Sequence, residues 1–201
     1  MINVLCLHGC RQSDEDFRNH NKDLIRIAKS AGIRLHFISA PYDHEIRGKS
    51  FINRDPGMPD EFLPEFSDLS RYDRSLEIIY DFIIRNDITC LLGFSEGACI
   101  IDTILRTKNQ ILTKITRCVL MNGTSFGNVP SEIANNDISI LSVISENDAI
   151  VTVAQKPIYD PSVKELVLRH DRGHNIPRTK EQRIIIGFIS GSDNLEPFYS
   201  H

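Results

Sequence analysis

The sequence predicts an α/β fold, a mostly parallel sheet with right-handed crossover connections and helices on both faces. Two observations carry this expectation. Six runs rich in Val, Ile and Leu, at 3–7, 33–39, 88–92, 117–121, 138–144 and 163–169, have the continuous apolar character of strands buried on both sides. Helical periodicities at 14–29, 73–85, 96–106 and 180–190 alternate with them. With 201 residues and 41% apolar content, the chain is expected to form one domain over 1–201 with a sizeable core.

Taken in order, the first run ends at Leu7, before a tight His8-Gly9-Cys10 loop, and Ser13 is a candidate N-cap for the helix at 14–29. After the second run Pro41 opens the one long connection, 41–70, which Pro56, Gly57, Pro59 and Pro64 keep from regular structure. Connections of this length tend to be functional. Because it carries Tyr42, Phe51, Met58, Phe62 and Phe66 among charged residues, it suits an apolar substrate flap over a ligand cleft. A loop that only packs its aromatics on the domain is the alternative. The helix at 73–85 leads to the third run, and the helix at 96–106 follows that run almost at once. A short helix is expected at 151–156, between the last two strands, and Pro177 is suited to starting the final helix.

The formal charge of -4, with no Lys/Arg stripe, argues against nucleic-acid binding. The opening Met-Ile-Asn-Val has no basic n-region, no cleavable apolar segment follows, and there is no run of 18 apolar residues. Neither signal peptide nor membrane span is expected, and the expected location is the cytoplasm. Five cysteines without CxxC spacing argue against a disulfide framework. Cys10 lies in a loop and is read as an ordinary thiol.

Chemistry concentrates in Gly93-Phe94-Ser95-Glu96-Gly97-Ala98, which joins the third strand to the helix after it. This is the GxSxG nucleophile elbow in its strand-turn-helix setting. The bare pattern arises by chance about once in fifteen chains of this length, so its setting carries the weight. A serine hydroxyl needs an imidazole base, and the imidazole needs a carboxylate to fix its tautomer, in the chain order Ser, Asp or Glu, His. Asp148, in the acidic turn after the fifth strand, is the preferred acid, with Glu146 two positions earlier as the alternative. His174, in the polar loop between the last strand and last helix, is the expected base. His170 and His174 are four apart, but Gly173 and the lack of an HExxH pattern argue against a metal pair. No metal and no cofactor are expected. The backbone amides of Glu96 and Cys10 are the candidate oxyanion donors, and His8 is read as a packed residue orienting the Cys10 loop. The Glu96 side chain is read as favourable to the helix dipole. Phe51 and Phe62 in the long connection, with Phe94 beside Ser95, are the candidate substrate-binding residues.

Taken together, LCLHGCRQS, APY, LLGFSEGA, SENDAIV and HDRGHNIPR resemble the FSH family of small serine hydrolases over nearly the whole chain. The resemblance implies an α/β-hydrolase fold, a three-layer sandwich with a sheet of about six strands and no separate cap domain. It also implies a triad of Ser95, Asp148 and His174, oxyanion donors at Cys10 and Glu96, and hydrolysis of carboxylic esters or thioesters, with a small-molecule acyl ester or thioester as partner. The chain departs from the family pattern in having Glu96 where Gln is usual, Arg172-Gly173 where two glycines are usual, and no tryptophan in the long loop, where Phe51 and Phe62 take comparable positions. The alternatives are an acyl-protein thioesterase or lysophospholipase-like hydrolase, and a non-catalytic binding module that keeps the pocket without turnover. The sequence leaves open the physiological substrate, the acyl length accepted and the oligomeric state.

Overall fold

The structure, a computed structural model, describes residues 1–59, 63–107, 109–130, 132–133, 135 and 137–191. In chain order it runs β1 Ile2–Leu7, α1 Asp14–His20, α2 Lys22–Ser30, β2 Ile33–Ile38, a two-stranded hairpin of β3 Tyr42–Asp43 and β4 Lys49–Ser50, and α3 Asp73–Arg85. There follow β5 Cys90–Phe94, α4 Glu96–Arg106, β6 Arg117–Met121, β7 Ser139–Ser145, β8 Lys164–His170 and α5 Thr179–Ile189. The main sheet has six strands in the order β2-β1-β5-β6-β7-β8, with every neighbouring pair parallel.

The period-two alternation of each strand sorts its residues between two cores. Leu5, Leu7, Leu91, Cys118 and Leu120 pack against Ile79 and Ile83 of α3 and Ile100, Ile101 and Ile104 of α4. Val4, Cys6, Leu92, Val119 and Met121 pack on the other face, against Phe17 of α1, Leu24 of α2 and Ile185 and Phe188 of α5. This is the expected three-layer α/β-hydrolase arrangement, with no cap domain among the described residues. Every residue of α4 is buried, including Asp102 and Arg106, which pair at 3.0 Å. The Ser125 and Tyr159 hydroxyls donate to Asp102 at 2.7 and 2.8 Å, so the buried carboxylate is paired and hydrogen-bonded.

Three expectations are corrected. The helix at 14–29 is two helices, because Asn21 adopts φ -109°, ψ 27° and its side-chain amide donates to the Phe17 carbonyl at 2.8 Å. That carbonyl is the acceptor the Asn21 backbone would use in a continuous helix; the side chain takes it, and the helix breaks. The third strand begins and ends two residues later than the apolar run, so that Gly93 and Phe94 pair with Leu120 and Met121 and the strand runs directly into Ser95. The expected helix at 151–156 is a single 3-10 turn, Val153–Gln155, started by a capping box between Thr152 and Gln155. Ser13 does cap α1: its hydroxyl accepts from the Asp16 N–H at 3.1 Å while Asp16 accepts from the Ser13 N–H at 2.9 Å.

All six main strands run the same way, so the loops after β1, β5, β7 and β8 emerge at one sheet edge. This is where α/β sheets build their sites.

Candidate active site

Ser95 stands at the tip of β5 with φ 53°, ψ -119°, a conformation that costs a non-glycine residue about 1–3 kcal/mol. Its surroundings hold it there. The Ser95 N–H donates to the Met121 carbonyl at 2.9 Å, and its own carbonyl accepts from Ala98 and Cys99 at 2.9 and 3.1 Å. The flanking glycines are required by close approach. A Cβ on Gly97 would lie 2.4 Å from the Leu7 carbonyl oxygen, and one on Gly93 would lie 2.6 Å from the Ala98 nitrogen. Gly97→Ala must therefore push α4 away from β1. It is expected to destabilise the fold by about 3 kcal/mol, measured by urea unfolding; a change below about 0.5 kcal/mol would show that the contact is softer than the geometry indicates.

His174 Nε2 lies 2.8 Å from Ser95 Oγ, and His174 Nδ1 lies 2.8 Å from Asp148 Oδ2. A carboxylate only accepts, so Nδ1 carries the proton and Nε2 is free to accept from the serine hydroxyl. The Asp148 side chain is 1% exposed and that of His174 14%. The other Asp148 oxygen accepts from the Ile150 and Val151 N–H groups at 2.8 and 2.9 Å, which fixes the carboxylate plane. Glu146, the alternative acid, points away: it is 64% exposed and pairs with Arg169 at 3.3 Å.

Two residues that sequence reading did not assign hold the loop carrying His174. Asn122, at the end of β6 with φ 49°, donates from its side-chain amide to the Gly173 carbonyl at 3.0 Å and lies 3.4 Å from that of Asn175. Its side-chain oxygen is 3.1 Å from His170 Nε2, while His170 Nδ1 accepts from the Arg172 N–H at 3.2 Å. His170 is thus a neutral imidazole protonated on Nε2. The only sequence signal for Asn122 is the Asn-Gly pair directly after a strand.

Burial holds His170 below its ordinary pKa, against the pull of Glu181, Asp148 and Asp171 and with Arg172 acting in the same direction as burial. Burial lowers His8 as well. A histidine depressed in the folded state binds fewer protons there than in the unfolded chain. Its contribution is intact above the unfolded value of about 6.5 and is lost as pH falls from there through the folded value. The carboxylates of Asp16 and Asp23, lowered mainly by hydrogen bonds from Ser13 and Thr179, act in a separate window below 3.8. His170→Gln is therefore expected to lose less Tm than the unsubstituted protein between about pH 7.5 and pH 5. Equal losses in a thermal-shift series would remove His170 from the acid response.

At the end of β1, Gly9 lies so close to the elbow that a Cβ there would be 3.2 Å from Ser95 Cβ. Its N–H donates to Gln12 Oε1 at 2.9 Å. His8 is fully buried: Nδ1 donates to the Gly9 carbonyl at 2.7 Å and Nε2 accepts from the Ala40 N–H at 3.0 Å. Cys10 follows in this loop, half-buried, while Glu96 occupies the first position of α4, where a backbone N–H has no acceptor inside the helix. The Glu96 side chain, in the first turn of α4, has partners outside its helix. It is buried and paired with Arg54 at 2.8 Å.

A cavity of about 580 Å³ opens beside His174 and Phe94, walled also by Gln12, Arg172, Ile176 and Gln182. Of the candidate substrate-binding residues, Phe94 lines it. Phe51 does not: it is buried in the core, its ring on His8 with centroids 4.8 Å apart and its N–H taken by Glu96. Phe62 lies outside the described residues. No helix among the described residues is long and apolar enough to cross a membrane, and none of their His, Cys, Asp and Glu side chains form a group of three that could hold a metal ion.

The family model described as serine hydrolase (FSH1) matches residues 1–186. The chain is 26% identical over 221 residues to esterase CG5412 of Drosophila melanogaster, covering 100% of this chain and 77% of that protein. To esterase C25G4.2 of Caenorhabditis elegans it is 24% identical over 206 residues, covering 94% and 92%. Among solved structures, a carboxylesterase from Mesorhizobium loti superposes with TM-score 0.71 at 15% identity, over 94% of this chain and 88% of that one. The Bacillus cereus carboxylesterase does so with TM-score 0.68 at 16% identity, over 95% and 88%.

Proposed function

The chain belongs to the serine hydrolase (FSH1) family, and from that premise we propose that it hydrolyses carboxylic esters through an acyl-enzyme on Ser95. The observation that carries this reading is the unbroken series from Ser95 Oγ through His174 to Asp148, with both hydrogen bonds at 2.8 Å. It leaves the imidazole in the one tautomer that can accept the serine proton.

Ser95 Oγ attacks the ester carbonyl as its proton passes to His174 Nε2. Asp148, held by two backbone N–H groups, stabilises the imidazolium that forms. The Glu96 and Cys10 amides receive the developing oxyanion. When the tetrahedral intermediate collapses, the C–O bond to the alcohol breaks and His174 returns the proton to the leaving oxygen. Water, deprotonated by the same imidazole, then attacks the acyl carbonyl and releases the acid and free Ser95. A thioester follows the same steps with a thiol as leaving group.

Purified protein is expected to release p-nitrophenol from an acyl ester with a burst equivalent to one acyl group per active site, followed by a slower steady rate. A p-nitrophenyl ester series of increasing acyl length tests this together with the acyl preference. Absence of turnover with every member would favour a binding module in this fold.

A further inference from the structure

The Glu96 side chain does more than occupy the first turn of a helix. At 3% exposure it accepts from the Phe51 N–H at 2.5 Å and from Arg54 Nη2 at 2.8 Å, and the Ser50 hydroxyl lies 3.0 and 3.1 Å from its two oxygens. Arg54, 8% exposed, donates its other terminal nitrogen to the Pro59 carbonyl at 2.9 Å. The Phe51 carbonyl in turn accepts from Ser75 of α3 at 2.6 Å. From Phe51 the contacts continue to the other side of Ser95. Its ring lies on His8, and the His8 imidazole fixes the Gly9 carbonyl and the Ala40 N–H. One carboxylate therefore joins the peptide that carries the Glu96 amide to the loop that carries the Cys10 amide.

We propose that the Glu96 side chain positions the oxyanion site, fixing both backbone donors through the 50–54 segment, and that Arg54 keeps it in place by pairing with its charge. The proposal rests on the acyl-enzyme reading of Ser95 and deepens it. A neutral amide at position 96 can still accept from the Phe51 N–H, so the carboxylate's charge adds chiefly a demand for Arg54. Removing Arg54 alone leaves the buried Glu96 carboxylate without the guanidinium that faces it, whereas combining that change with a neutral amide at position 96 removes the charge and keeps the acceptor for the Phe51 N–H. Neither side chain is assigned a contact with substrate. Their effect is on donor placement, where losing one oxyanion donor typically costs about 10² to 10³ in turnover.

The test measures the rate at which a fluorophosphonate labels Ser95, together with kcat and KM for p-nitrophenyl butyrate, each well below the variant's own Tm. Arg54→Met is expected to lower kcat and labelling rate about 10- to 100-fold, with KM changed less than about threefold. Adding Glu96→Gln to it is expected to recover both rates to within about threefold of the starting protein, a rescue that lost packing at position 54 cannot produce. Arg54→Lys, which keeps the charge, is expected to fall less than Arg54→Met. Should Arg54→Met not fold, Arg54→Gln replaces it, and Arg54→Gln alone must be slower than Arg54→Gln combined with Glu96→Gln. The proposal is overturned if Arg54→Met labels at the unsubstituted rate, if the double variant is no faster than Arg54→Met alone, or if KM moves in place of kcat. Failure of the Ser95 reading is visible separately, as an unsubstituted protein that neither labels at Ser95 nor turns over ester.

Discussion

Ser95→Ala is expected to lower kcat for ester hydrolysis by roughly 10⁵- to 10⁶-fold while leaving the protein folded. The hydroxyl is the only nucleophilic atom that His174 Nε2 reaches at hydrogen-bond distance among the described residues, so its loss removes the acyl-enzyme route entirely. What remains is catalysis by the oxyanion donors on water, a residue of about 10³ to 10⁴ over the uncatalysed reaction. Stability should respond differently. The positive φ of Ser95 persists in the alanine variant, whereas Ser95→Gly relieves it. The glycine variant is thus expected to be more stable than the alanine one by about 1 kcal/mol, although equally inactive. Comparable activity in Ser95→Ala and the unsubstituted protein would exclude the elbow serine as nucleophile.

Asp148→Asn carries the second large effect, a fall in kcat of about 10⁴. The substitution is nearly isosteric, and its surviving oxygen can still accept from Ile150 and Val151. The group facing His174 then becomes an N–H donor, which draws the lone pair to Nδ1 and places the imidazole proton on Nε2. In that tautomer Nε2 cannot take the proton of Ser95. Glu146→Gln is the matched control, because Glu146 is exposed and paired with Arg169, and its kcat is expected to stay within about twofold. Equal losses from the two substitutions, measured as kcat with a p-nitrophenyl ester, would return the acid to an open question.

The parts of the candidate site that are legible in the sequence are those encoded locally. Ser95 is recognisable because strand, elbow and helix are consecutive, and the demand for Gly93 and Gly97 is met within five residues. Asp148 and His174 each follow an apolar run in the required order, so a strand and its next turn suffice to locate them. Contacts made across the fold were not readable. Glu96 is legible only as a first-turn acid because nothing near it in sequence announces Ser50, Phe51 or Arg54, which lie 42 to 46 residues away. Phe51 looked like a flap residue for the same reason, since its burial depends on His8 and Glu96. Asn122 and His170 are 48 residues apart and meet only because β6 and β8 flank β7 in the sheet. The break at Asn21 was hidden by an apolar periodicity that continues through Phe17, Leu24 and Ala28 on both sides of it.

The central claim is that acyl transfer passes through Ser95, and intact-protein mass spectrometry of samples acid-quenched during turnover of p-nitrophenyl butyrate tests it most directly. The expected result is a population heavier by one butyryl group, with the added mass confined to the peptide that contains Ser95 and absent from Ser95→Ala. Steady hydrolysis without any acylated protein, or with the acyl group on another residue, would contradict it.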